Sequence, residues 1–217
     1  MRFENVYFIN GNSCAGKSTM IRLLAEKYDG ILCRENYHKK YFPNVDREEF
    51  PFISWARERK DPHAMIRLSP EAYVAWLDGV EKECEVLELR ILEELSKQEK
   101  PVFADTNISA ETLKEVAKYD HVLFMLADPM LSVQKFFDRP DRDKQSLYQL
   151  LMEEEDPEKA MENYRQGLLL ANSGRRYDRF LNTGFKVLLR DENRTVEETL
   201  KLVEEAFGLP ASAERKE

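Results

Sequence analysis

The sequence predicts an α/β fold built around a parallel sheet. Two observations carry that expectation. Five short apolar runs, several continuous rather than alternating, are separated by stretches whose apolar residues recur at three- and four-residue steps. The first run also leads through a glycine-bearing loop into a helical pattern, and the strand–helix–strand alternation that follows is that of right-handed crossover units.

Taken in order, the first strand is Val6–Asn10 in "VYFIN". The helix after it spans Lys17–Tyr28, with Met20, Ile21, Leu23, Leu24 and Tyr28 close to one stripe. Ile31–Arg34 is the second strand. A long helix covers Glu71–Gln98, where Val80, Cys84, Leu87, Ile91 and Leu95 repeat at helical spacing. Val102–Asp105 is the third strand, and Ser109–Tyr119 is the next helix, carrying Leu113, Val116 and Ala117. His121–Leu126 and Phe185–Leu189 are the fourth and fifth strands. The last helix, Thr195–Phe207, groups Val196, Leu200, Val203 and Phe207 and stops at Gly208 and Pro210. Two stretches lie outside this rhythm, about 35–68, rich in aromatic and charged residues, and about 128–179, mostly helical. Both follow strands, where open α/β sheets place ligand loops. Within the second, "MEEEDPEKAMENY" reads as an exposed helix face with a helix start at Asp156 and Pro157.

The bulk properties narrow the setting. A chain of 217 residues suffices for a single α/β domain, 1–217, with an appended lobe, or at a stretch for two small domains. Its formal net charge of -8 argues against sequence-independent nucleic-acid binding, which works by neutralising backbone phosphates. Three cysteines, Cys14, Cys33 and Cys84, make no disulfide framework, and three histidines make a His-rich metal site a poor expectation. The N-terminal "MRFENVYFIN" has no signal-peptide pattern, and no apolar run approaches the ~20 residues of a membrane span. These features predict a cytoplasmic protein that does not act at a membrane; they specify no oligomeric state.

The most specific motif is "FINGNSCAGKST", residues 8–19, in which Gly11, Gly16, Lys17 and Ser18 match G-x-x-x-x-G-K-[ST]. A glycine turn that happens to precede a lysine would show the same four residues. The setting favours a phosphate cradle, because a strand signal stands before Gly11 and a helix signal begins at Lys17. Each residue type has a physical role in such a cradle. Gly11 and Gly16 permit backbone angles closed to other residues. The loop then turns its N–H groups inward around an anion, and the helix adds its positive end. Lys17 supplies a full charge to the outer phosphates, and Ser18, followed by Thr19, a hydroxyl for magnesium. Asn12, Ser13, Cys14 and Ala15 contribute mainly backbone donors; a redox-active Cys14 thiol is the other reading of that residue.

With this loop, with "VFADTN" after a long crossover and with "FFDRPDRDK" in the second insertion, the chain resembles the P-loop kinases of small molecules, the group containing nucleoside, nucleotide, shikimate, gluconate and chloramphenicol kinases. The order of elements follows that group over nearly the whole chain. The resemblance implies a P-loop NTPase three-layer sandwich with a five-stranded parallel sheet in the order 2-3-1-4-5. It also implies an acceptor-binding insertion at 35–70, a helical lid region at 128–179, and magnesium–ATP as phosphoryl donor.

Candidates for the remaining machinery follow. Glu35, in "LCRENYH", stands where the resemblance places an acidic base for the acceptor's proton; the alternative is a solvated loop glutamate. Asp105 leaves the third strand beside the glycine loop, where it would hold a magnesium-bound water or a substrate hydroxyl; otherwise it caps the next helix, a task also open to Asn107 or Ser109. Arg139 and Arg142 are spaced like the group's lid arginines, although Asp138, Asp141 and Asp143 offer them surface ion pairs instead. In the acceptor insertion Tyr37, His38, Phe42, Phe52, Trp55, Arg57 and Arg59 suit an aromatic or anionic small molecule, with ordinary packing as the alternative. Arg175 and Arg176 read either as facing the nucleotide or as a solvated turn. Arg194 lies where the resemblance brings the last loop past the donor base. The expected function is therefore a magnesium- and ATP-dependent kinase of a small-molecule acceptor. An NTP-hydrolysing switch, a kinase of a sugar nucleotide or an RNA end, and a nucleotide-binding protein without turnover are the competing readings.

Overall fold

The computed structural model describes residues 3–138 and 142–210. Five strands, β1 (Val6–Asn10), β2 (Ile31–Cys33), β3 (Val102–Asp105), β4 (Val122–Leu126) and β5 (Lys186–Leu189), form one parallel sheet in the order 2-3-1-4-5. The described helices are α1 (Lys17–Lys27), α2 (Pro51–Glu58), α3 (Pro70–Leu95), α4 (Ala110–Val116), α5 (Pro129–Lys135), α6 (Arg142–Met152), α7 (Pro157–Asn172), α8 (Arg175–Leu181) and α9 (Val196–Phe207). Short 3-10 turns stand at Tyr37–Asn44, Pro62–Ala64 and Tyr119–His121. The α/β class and the strand order are those expected.

The chain comprises two compact units. One comprises the described parts of Met1–Lys39, Cys84–Ala127 and Arg179–Glu217; the other comprises Lys40–Glu83 and Asp128–Asp178. The first unit holds the sheet, buried on both faces as its continuous apolar strands require. On one face Val6, Phe8, Val102, Ala104, Val122 and Phe124 pack with Leu92 of α3 and Leu113 of α4. On the other, Tyr7 stacks on Phe103 at 5.2 Å and meets Phe207 of α9 at 5.3 Å. Tyr28, just past α1, reaches Phe103 at 6.1 Å. Each fully buried side chain of this size contributes about 1.5–3 kcal/mol of hydrophobic stabilisation.

Register decides what gathers at the carboxyl edge of the sheet. Ile9 lies opposite Asp105, and Leu126 lies opposite Leu189. The ladder continues past the strand ends, since the Thr106 amide donates to the Ile9 carbonyl at 3.0 Å and the Arg190 amide to the Leu126 carbonyl at 2.7 Å. Asn10, Asp105, Ala127 and Arg190 are thus brought to one edge by pairing alone.

Several boundaries differ from the sequence reading, among them the end of α3, at Leu95 rather than Gln98. α4 stops at Val116 rather than Tyr119, because the Phe3 amide bonds the Val116 carbonyl at 2.7 Å and Phe3 pairs with an extended Ala117 in a parallel bridge. β5 is an edge strand with Lys186 and Leu189 exposed, not a strand buried on both faces.

The second unit has its own core of Ile66, Leu151, Met161, Tyr164 and Leu168, flanked by Tyr73, Phe136 and Phe137. Here the carboxylate of Glu83 accepts the Phe52 and Ile53 amides at 2.8 Å each, capping α2 from a distant helix. α7 starts as expected, with Asp156 accepting from the Lys159 amide ahead of Pro157. Among the described residues no helix is long and apolar enough to cross a membrane.

Candidate functional site

The loop between β1 and α1 is shaped by three left-handed residues and two asparagines. Gly11 has φ +132°, and a Cβ there would lie 1.9 Å from the carbonyl oxygen of Met125 in β4. Only glycine fits both that angle and that gap. Cys14, at φ 64°, and Gly16, at φ +94°, complete the curl. Asn10 ties the entrance: its amide donates to the Ile108 carbonyl at 2.7 Å, and its Oδ1 accepts the Gly11 N–H at 2.5 Å. Buried Asn12 ties the centre through two bonds to Ala127, one to the N–H and one to the carbonyl, both 2.8 Å. The loop is thereby held between β1 and the end of β4. α1 then starts at Lys17 behind Gly16, and no side chain caps it among the described residues. Its positive end opens onto the loop.

The charged groups sit at the same place. Lys17 Nζ donates to the Asn12 carbonyl at 3.0 Å, so the cation lies back along the loop. Ser18 Oγ donates to Asp105 Oδ2 at 2.6 Å. Asp105 is 4% exposed, and burial holds its carboxyl above the usual carboxylate range. Lys17 and the Ser18 bond pull it down, while Glu35 and Glu88 push it up. Capping of α4 falls to Ser109, which accepts from the Thr112 amide at 3.2 Å; Asp105 turns to Ser18 instead. Among the described residues no three His, Cys, Asp or Glu side chains gather as a cation site. A hydroxyl paired with one carboxylate fits magnesium, which keeps waters and phosphate oxygens as ligands rather than taking an all-protein cage.

Glu35 follows β2 in a turn and is exposed. Its charge nevertheless reaches Asp105, so the two candidate carboxylates share one electrostatic neighbourhood. The segment after Glu35 is anchored by a residue that sequence reasoning missed. Glu88 of α3 is 0% exposed and accepts from Thr106 Oγ1 at 2.5 Å, the Asn107 amide at 3.0 Å and Asn107 Nδ2 at 2.9 Å. The Tyr37 hydroxyl reaches it at 3.3 Å, and His38 Nδ1 lies 2.8 Å away. Burial, and then the Glu88 charge, push the Tyr37 phenol well above its ordinary range. Glu88 thus joins the residues after Asp105 to those after Glu35. Its signal was present in the spacing: it falls four residues after Cys84 and three before Ile91, inside an apolar stripe.

Two arginines follow β5. Arg190, also missed, donates through Nη1 to the Cys14 carbonyl at 2.5 Å. Arg194 donates to the Leu189 carbonyl at 3.2 Å and faces Asp191 at 3.9 Å, within its own turn. Thr19, in the first turn of α1, is exposed, as is Ser18.

The other expected site residues belong to the second unit. Arg57 bonds the Phe42 carbonyl and, at 2.5 Å, Glu58; Arg59 bonds the Ala56 carbonyl; Phe52 and Trp55 are exposed on α2. Arg176 is buried against Asp78 and Glu81, which makes it a packing residue of this unit rather than a solvated turn. Arg142 is exposed at the start of α6, and Arg139 lies outside the described residues.

Compared with known proteins, this chain matches no family model and no curated protein.

Three outcomes are expected from this geometry. Gly11→Ala lowers unfolding free energy by about 3 kcal/mol or more in urea titration, because strain and overlap with a backbone carbonyl combine. Glu88→Ala lowers it by a similar ~3 kcal/mol, since it strands several buried donors at once. Asp105→Asn behaves oppositely. A carboxyl whose folded-state value is raised favours folding below its unfolded value and loses that contribution as pH rises through the folded one. Asparagine still accepts from Ser18, so its melting temperature at pH 7 equals or exceeds the wild type's. The difference shrinks on acidification toward the carboxylate range, as thermal scans across pH will show.

Proposed function

We propose that this chain is a P-loop phosphotransferase that uses magnesium–ATP to phosphorylate a hydroxyl or phosphate of a small-molecule acceptor. One observation carries the reading: the G-x-x-x-x-G-K-[ST] residues form a left-handed curl between a central strand and an uncapped helix, with Lys17 and a Ser18–Asp105 pair beside it. Nothing in a plain turn calls for a lysine and a buried carboxylate at that edge.

The roles of the residues follow from their chemistry. The loop amides of residues 12–18 and the start of α1 receive the phosphate chain. Lys17 leaves the Asn12 carbonyl and turns to the β- and γ-phosphates; three donors on a flexible stem allow that exchange. Ser18 and Asp105 are the residues that would hold magnesium. Magnesium–ATP, when bound, supplies the transferable phosphoryl group and the cation that spreads its charge. Glu35, exposed and close enough to influence Asp105, accepts the acceptor's proton. On this reading 35–70 binds the acceptor, with Tyr37, Arg57 and Arg59 as contacts. The region 128–179 acts as a lid whose Arg139 and Arg142 stabilise the transferring group and exclude water. Arg194 belongs to the loop passing the donor base.

The test is direct. Purified protein is incubated with magnesium–ATP and a pool of nucleosides, nucleotides, sugars and aminoglycoside-like compounds, and the products are screened for a mass gain of one phosphoryl group. Lys17→Ala is expected to keep the wild-type circular dichroism spectrum and to lower transfer by at least about a hundredfold. Transfer by Lys17→Ala at the wild-type rate rejects the assignment; phosphate release without any phosphorylated acceptor favours a hydrolase instead.

A further inference from the structure

We propose that Arg190 is the positioning residue that keeps the glycine loop in its phosphate-receiving shape, an inference that rests on the phosphotransferase reading above. The loop has three left-handed residues, and glycine occupies two of those positions. The third is Cys14, at φ 64°, a conformation that a residue with a Cβ adopts only at a cost. A partner on its carbonyl helps to offset that cost. The Cys14 carbonyl accepts from Arg190 Nη1 at 2.5 Å, across 176 residues of sequence.

Arg190 is well placed for this work. Its own amide is fixed to the Leu126 carbonyl at 2.7 Å, one residue before the Ala127 that Asn12 grips. The loop is therefore held twice, at Asn12 by the end of β4 and at Cys14 by the end of β5. The bond from a guanidinium to a carbonyl is charge-assisted. It also ties up one carbonyl oxygen of a loop whose task is to present N–H groups to an anion. The side chain of Arg190 is 36% exposed and lies 4.0 Å from the Glu192 carboxylate, farther than its 2.5 Å bond to the Cys14 carbonyl. Arg190 acts through Cys14 and not by touching phosphate.

The test measures binding of inorganic tripolyphosphate and of magnesium–ATP by calorimetry, together with the melting temperature of each protein without ligand. Arg190→Ala is expected to weaken tripolyphosphate binding about tenfold, with little change in melting temperature. Adding Cys14→Gly to Arg190→Ala is expected to restore most of that affinity, because glycine takes φ 64° unaided. Should alanine perturb folding, Arg190→Met, which keeps side-chain length without a donor, carries the same comparison. Unchanged tripolyphosphate affinity in Arg190→Ala, beside a binding wild type, overturns this role alone. Failure of Cys14→Gly to restore binding also overturns it and points to direct attraction between Arg190 and the anion. Absence of binding by the wild type overturns the phosphotransferase reading and this inference together.

Discussion

A single close approach governs the candidate site. The Cα of Gly11 passes the Met125 carbonyl so tightly that a methyl group would overlap the oxygen. That contact lets the chain leave β1 and bend over the end of β4 instead of running past it. Everything downstream inherits the bend. Asn12 reaches both backbone groups of Ala127, Lys17 comes to the loop's mouth, and α1 begins with its amides facing the same edge. Sheet register completes the arrangement, since pairing Ile9 with Asp105 sets a carboxylate beside the first turn of α1. The site is thus a consequence of backbone packing first and of side-chain chemistry second.

Three acidic side chains of α3 accept hydrogen bonds from other segments, and two of them, Glu83 and Glu88, are buried. Within the second unit, Glu83 caps the start of α2. Within the first, Glu85 accepts from the Ser109 amide at 2.9 Å and from Thr112, and Glu88 gathers Thr106, Asn107, Tyr37 and His38. Carboxylates tolerate such burial only when several donors converge on them. Part of the formal charge of -8 is therefore structural. That weakens any inference from net charge to partner, because a buried, saturated Glu88 does not repel an approaching anion as a solvated glutamate would.

The features legible in the sequence were the local ones. The bounds of β1 and β3 follow from the sequence to the residue, because continuous apolar runs between turn signals leave little freedom. The glycine loop was legible because its constraint lies within eight consecutive positions. The end of α9 was legible because Gly208, at φ 63°, is a local stop. Non-local determinants stayed hidden. The early end of α4 depends on a bridge from Phe3. α2 lies in a stretch where aromatic and charged residues obscure periodicity, and its cap comes from 30 residues away. Arg190 looked like one more surface arginine; only the closing of β5 against β4 brings it to Cys14.

Stability and chemistry pull against each other at two points of this edge. Buried Asp105 carries a charge that its surroundings disfavour, and Lys17 and Ser18 offset the cost only in part. Cys14 holds a backbone angle that most residues avoid. Neither feature helps the chain fold, yet each has specific partners, Lys17 and Ser18 of α1 for Asp105 and Arg190, just past β5, for Cys14. Local disadvantages that the surrounding structure goes to such length to support are characteristic of sites rather than of cores. An ordinary turn between β1 and α1 would need no buried carboxylate opposite its serine and no arginine on its carbonyl. The concentration of both within a few residues of one lysine is the physical reason to place the chemistry here.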